Sequence, residues 1–262
     1  MWLVIASLHD EATLWAYRGL AARRSGVELV TTETLGLALR WRHFVDTAGS
    51  RIAFELADGR KIDSSGIDGV APRAVLSRMH TFPTDHLPPS EDAEYARTEL
   101  FAFYLSWLHG LGCPVLDRAT PQGLCGRWRH LTEWLWLAGR AGLPTPDYRW
   151  TSEDSAAPPP ARIEMPGRTV VRAYLIGETV LLPPEVEAVL GPLPEAIREG
   201  CVRLGRAASH QLLGIDLLPE IGWAFAGADP YPDFRPVGEP ALDALELALD
   251  PAIETSRVGV AS

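Results

Sequence analysis

The chain has 262 residues, 47% hydrophobic and 22% charged, with a formal charge of −10, which is enough for one large or two modest domains with buried cores. The acidic balance argues against a nucleic-acid groove, which needs clustered cations, and no apolar run reaches the length of a membrane span. Three scattered cysteines, Cys113, Cys125 and Cys201, are too few for a disulfide framework and agree with a reducing compartment. The opening MWLVIAS lacks a basic leader or cleavage site, so the cytoplasm is the expected location.

Residues 2–7 are an apolar run of strand formers, and Glu11 to Arg24 follows with helical spacing at Leu14, Tyr17 and Leu20. Gly26 then leads into a second strand, VELVTT. Strand, helix and strand in this order predict a parallel crossover, the opening of an α/β domain. Leu39 to Thr47, Arg51 to Leu56 and Arg60 to Ile62 predict a small meander, with Asp58-Gly59 as one turn. A strand over Ala74 to Ser77 precedes Arg78. Residues 80–90 are a proline-punctuated loop, and Glu91 and Asp92 mark the start of a helix reaching about Leu111. Cys113 to Leu116 is a short strand.

A second strong helix is expected over Arg127 to Arg140, with Leu131, Trp134, Leu135 and Ala138 on one face and Gly142 and Pro144 at its end. Residues 151–167, rich in proline and poor in large apolar groups, are expected to be a surface linker. RTVVRAYLIGETVLL predicts a hairpin about Gly177, and Glu195 to Gln211 a helix with Ile197, Cys201, Leu204 and Ala208 inward. LLGIDLL and GWAFAGAD predict paired strands around Pro219 to Gly222. A final helix, Glu239 to Leu249, is striped by Leu242, Leu245 and Leu249.

Several polar groupings carry chemistry in principle. His80, Asp85 and His86 share one loop and are metal-ligating types, but their spacing matches no standard site. Cys113, Cys125 and His130 have zinc-ligand chemistry, yet single cysteines are more often small buried hydrophobes. Cys125 beside Gly126 admits a nucleophile reading. His9-Asp10, after the first strand, sits either at a ligand-binding sheet edge or as a helix cap, the second being favoured. Trp128, Trp134 and Trp136 crowd one helix and Trp107 the preceding one; these are core residues unless an exposed subset marks a protein interface. Lys61 is the single lysine of the chain, so chemistry needing a buried lysine has one candidate.

Three stretches, in order, resemble ATP-grasp enzymes of the ribosomal-protein glutamate ligase and graspetide (microviridin-type) ligase group. The first is AVLSR, a long helix, then CPVLDRATPQGLCGRWRHLTEWLWLAGRAGLPTP, in which Asp117 and the Gly142 to Pro146 exit match the family pattern. The second is RTVVRAYLIGETVLL, where Arg172 takes the position of an arginine that faces the ATP phosphates. The third is HQLLGIDLL followed by FAGADPYPDF, where Asp216 matches the first magnesium carboxylate. The resemblance covers roughly three quarters of the chain and implies acyl-phosphate formation from ATP and a carboxylate, with magnesium and cations stabilising the transferred phosphoryl group.

The departures from that pattern are specific. The family's metal glutamate falls on Gly227 and its asparagine on Asp229, leaving Asp216 and Asp229 as the metal candidates. The lysine opening the central helix falls near Arg127 or Arg129, and an arginine does not reproduce a compact ammonium. Between Pro146 and Arg168 there are about twenty residues where the family has a lysine- and glycine-loop subdomain.

The expected architecture is α/β: a pre-ATP-grasp-like α/β domain over 1–117 with its connecting helix, a truncated α+β ATP-grasp-like domain over 118–250, and a tail over 251–262. Arg127, Arg129 and Arg172 are the nucleotide- or anion-binding candidates, and Arg78 and His80 the substrate- or partner-binding ones. ATP and magnesium are implied by the resemblance but weakened by the departures. The leading expectation is an accessory protein of peptide or specialised-metabolite biosynthesis that binds a peptide, a small molecule or an active ATP-grasp ligase, with homo- or hetero-oligomers both open. The alternatives are a divergent ATP-dependent carboxylate-amine ligase using Arg129, Arg172, Asp216 and Asp229, and a structural subunit of a larger assembly.

Overall fold

The computed structural model describes residues 1–47, 49–63, 66–80, 90–148, 162–163 and 165–250. They fall into two compact units, Met1–Arg127 and Trp128–Ala248.

The first unit opens with β1 (Trp2–Ala6), α1 (Glu11–Arg23) and β2 (Val27–Thr31). β1 pairs in parallel with β2, Trp2 opposite Val27. On its other side β1 pairs in parallel with β7 (Ala74–Arg78), which in turn carries β8 (Val115–Leu116). All residues of β1 and β7 are buried, as expected of parallel strands covered on both faces. A short helix the sequence pattern did not disclose, α2 (Thr32–Gly36), follows β2 and is capped by the Thr31 side chain.

The expected meander is a separate antiparallel sheet of β3 (Leu39–Asp46), β4 (Gly49–Glu55), β5 (Lys61–Asp63) and β6 (Gly66–Ile67), in that order. Ile52, Phe54 and Ile62 turn one face toward α3 (Glu91–Gly110), whose Phe103, Tyr104 and Trp107 complete the core. The start of α3 is set by Ser90, whose hydroxyl accepts from the Ala93 N–H, and by three acids in the first turn that oppose the helix dipole.

The second unit begins with α4 (Leu131–Arg140). Its start lies at Leu131 rather than at the expected Arg127, because His130 is the N-cap: its Nδ1 accepts from the Thr132 N–H at 3.2 Å. Trp134, Leu137 and Ala138 bury one face. A four-stranded antiparallel sheet follows, in the order β10 (Thr179–Leu181), β9 (Val171–Ile176), β11 (Leu212–Leu218), β12 (Ala224–Asp229). Val171, Ala173, Leu175, Leu213, Ile215 and Leu217 form one face and pack with α4 and α6 (Glu195–Ala208). α6 stops at Ala208, short of the expected Gln211, because Ser209 adopts the left-handed conformation, φ 57° and ψ 39°.

Another helix absent from the sequence reading, α5 (Pro184–Leu190), has no buried residue; without an apolar stripe it left no periodic signal. α7 (Glu239–Leu249) closes the described chain with Leu242, Leu245 and Leu249 buried, as expected. Most of the expected linker, 151–161 and 164, and the tail, 251–262, lie outside the described residues. At the linker's far end the surface expectation is corrected: Ile163 is buried and its N–H donates to the Ala226 carbonyl at 2.7 Å. No helix among the described residues is long and apolar enough to cross a membrane.

Candidate functional site

The sheet of the second unit has a polar centre on the face opposite α6. In register, Arg172 of β9 lies opposite Asp216 of β11, and Asp216 opposite Gly227 of β12; two pairs further along, Tyr174, Gly214 and Asp229 align. Cross-strand neighbours point to the same side of a sheet, so this register alone gathers one arginine and two aspartates. Gly227 supplies no side chain beside Asp216.

The contacts are complete. Arg172 grips Asp216 as a fork, Nε donating to Oδ1 at 2.8 Å and Nη2 to Oδ2 at 3.0 Å, while Nη1 donates to Asp229 Oδ2 at 2.8 Å. The remaining oxygen, Asp229 Oδ1, accepts the Tyr231 N–H at 2.8 Å. Hydrogen bonding to Asp216 holds the Arg172 guanidinium well above the usual arginine range, against the effect of burial. Burial raises the Tyr174 hydroxyl, the opposite of its effect on Arg172. Gly214 makes room for the arm: a Cβ there would sit 3.0 Å from Pro232 and 3.2 Å from Arg172 Cδ.

Magnesium takes carboxylate oxygens and water in near-octahedral array. Here each of the four oxygens of Asp216 and Asp229 already accepts from a nitrogen, and Gly227 provides no third carboxylate. The residues present therefore do not fit a divalent cation of the ATP-grasp kind. No grouping of three or more histidine, cysteine or acidic side chains suited to a metal occurs among the described residues. Of the other anion candidates, Arg127 is exposed, whereas Arg129 is 9% exposed, ion-paired to Glu133 at 3.2 Å and set over the Trp134 ring.

At the carboxyl edge of the parallel sheet in the first unit, Asp10 is the N-cap of α1, accepting from the Thr13 N–H, and also receives the Arg78 Nε–H at 3.0 Å. The favoured cap reading of Asp10 is the observed one. Arg78, expected to take part in substrate or partner binding, is 2% exposed, with its Nε–H donated to Asp10. His80 is exposed; Asp85 and His86 lie outside the described residues. Glu33, unnoticed in the sequence, clasps the same edge by accepting from Ser7 Oγ and the Leu8 N–H. Its only sequence signal is an acid directly after a predicted parallel strand. Trp107 and Trp134 are core residues, at 4% and 2% exposure, while Trp128 and Trp136 are open at 65% and 58%.

The sequence matches no protein-family profile and no curated protein sequence. The structure is similar to the macrocyclase MdnC bound with precursor peptide MdnA from Microcystis aeruginosa MRC, at TM-score 0.65 and 14% identity over 95% of this chain and 99% of that one. It is similar to the ATP-grasp ligase PsnB complexed with a phosphomimetic minimal precursor, Mg and ADP, at TM-score 0.65 and 16% identity over 95% and 98%. A RiPP-associated ATP-grasp ligase of Chryseobacterium gregarium, in complex with ADP and a leader and core peptide, aligns at TM-score 0.65 and 12% identity over 95% and 96%. The mixed α/β architecture is thus that of the ATP-grasp ligases. With nearly the whole of each neighbour covered, the expected truncation of the middle gains no support.

Proposed function

Proceeding from an ATP-grasp fold, we propose that this chain is a peptide- or partner-binding accessory protein of peptide or specialised-metabolite biosynthesis, without nucleotide turnover of its own. Fold alone does not carry function; the reading turns on the cation inventory. Lys61, the single lysine, lies on β5 in the first unit, so the second unit offers no ammonium to a phosphate. Its arginines at the candidate positions, Arg129 and Arg172, are tied to acids. Removing several coupled charge-stabilising groups removes most transition-state stabilisation.

The binding half of the reading draws on the precursor peptides bound to the neighbouring ligases and on Trp128 and Trp136, exposed aromatic residues of the type enriched at interfaces. Calorimetry with ATP and magnesium is the direct test. No heat of binding is expected, and micromolar affinity lost in Asp216→Ala would overturn the proposal.

A second reading, a divergent carboxylate-amine ligase, is favoured by the end-to-end likeness to ligases bound to Mg and ADP. It predicts ADP release that depends on a carboxylate-bearing peptide. A neighbouring gene for a complete ATP-grasp ligase would favour the accessory role instead.

A further inference from the structure

We propose that the Arg172 guanidinium serves as a built-in substitute for a divalent cation between Asp216 and Asp229, and that deleting it turns the pair into a metal site. This deepens the accessory reading and rests on it in one respect, that no nucleotide recruits the two carboxylates.

Two acids brought together by strand register on a half-buried sheet face need a cation. Left alone, their like charges would repel. A divalent ion is one solution, and a guanidinium is another, because its planar fork matches a carboxylate edge and leaves a further N–H for a second acid. Arg172 uses both features, forking Asp216 and reaching Asp229 with Nη1.

Three features make the arrangement a built one. Arg172 arises from the strand next to Asp216 and directly opposite it, so its reach is fixed by the ladder. Gly214, between them and Pro232, leaves the space the arm occupies. Tyr231 satisfies the last acid oxygen with its backbone N–H. An incoming divalent ion would have to break the fork and then sit beside the displaced positive charge. The clamped site retains one net negative charge, against two once the arginine is gone.

The experiment is a titration with Mn2+ alone, without nucleotide, read by electron paramagnetic resonance. It uses the full-length wild type, Arg172→Met, and Arg172→Met combined with Asp216→Asn. The wild type is expected to bind no Mn2+ that depends on Asp216. Arg172→Met is expected to bind at least tenfold more tightly, to gain thermal stability on adding Mn2+, and to lose both properties in the double variant. Asp216-dependent binding by the wild type overturns the inference, and so does a folded Arg172→Met that gains nothing. If Arg172→Met does not fold unaided, the reading becomes its refolding yield: rescue by Mn2+ that vanishes with Asp216→Asn supports the inference, and indifference to Mn2+ overturns it. Nucleotide binding by calorimetry remains a separate measurement, so a failed accessory reading and a failed cation substitution can be told apart.

Discussion

Asp10 caps α1 and, with the same carboxylate, receives the Arg78 Nε–H across the β1–β7 pair, in an ion pair whose side chains are 4% and 3% exposed. One acid thus ties the start of a helix to the end of β7. A buried pair is not strong evidence of net stabilisation, but breaking it leaves an uncompensated charge. Arg78→Met should therefore cost about 3–5 kcal/mol of unfolding free energy, measured by urea denaturation. Asp10→Asn keeps an N-cap side chain and should cost less than Asp10→Ala. Equal losses in the two Asp10 variants would show that the cap contributes nothing.

The second unit depends on close approach between α6 and β9. A Cβ on Gly205 would lie 2.1 Å from Leu175 Cδ2 and 2.9 Å from the His210 carbonyl oxygen. Alanine normally favours a helix by about 1 kcal/mol over glycine, but overpacking of a core typically costs about 1–3 kcal/mol. Gly205→Ala is accordingly expected to lower the melting temperature. A rise would mean that α6 can move off the sheet.

Glu33 provides a pH handle in the first unit. Burial pushes its carboxyl up, but hydrogen bonds led by the Ser7 hydroxyl, with the Leu8 N–H among them, outweigh it and leave the group below its ordinary 4.5. A depressed carboxylate contributes stability that is present above the unfolded value and lost as pH falls through the folded one. Glu33→Gln should therefore be less stable than the wild type at neutral pH, and the gap should close as pH drops below 4.5. Chemical denaturation at stepped pH checks this, and a constant gap would contradict it.

What was readable in the sequence was what repeats locally. β1, β7 and β11 announced themselves as apolar runs, and the stripe of Leu242, Leu245 and Leu249 marked α7. α5 was invisible because it buries nothing. The beginning of α4 was misplaced because a histidine caps it in place of the usual serine or aspartate. Arg172, Asp216 and Asp229 each stand out in the sequence, but as a cation for phosphates and two metal ligands. Their union depends on the β9–β11–β12 register, between positions 44 and 57 residues apart, which no local pattern encodes. Arg78 and Asp10, 68 apart, were likewise noted separately and joined only by the fold.

The three thiols offer a last test, aimed at the nucleophile and zinc readings together. Thiolate is the reactive and metal-binding form, and a low pKa needs exposure or a nearby cation. Burial does the opposite here. It lifts Cys125 far above the usual thiol range despite Arg78, pushes Cys201 up to about 12, and raises Cys113, which is only half-buried, despite Arg118. At pH 8 the native protein should react with Ellman's reagent slowly at Cys113 and scarcely at all at Cys125 and Cys201, with all three free cysteines released by denaturant. Cys113→Ser should then remove most of the native-state signal. Fast labelling that survives Cys113→Ser and disappears in Cys125→Ala would instead restore Cys125 as a reactive group, held in a conformation more open than the one its packing defines.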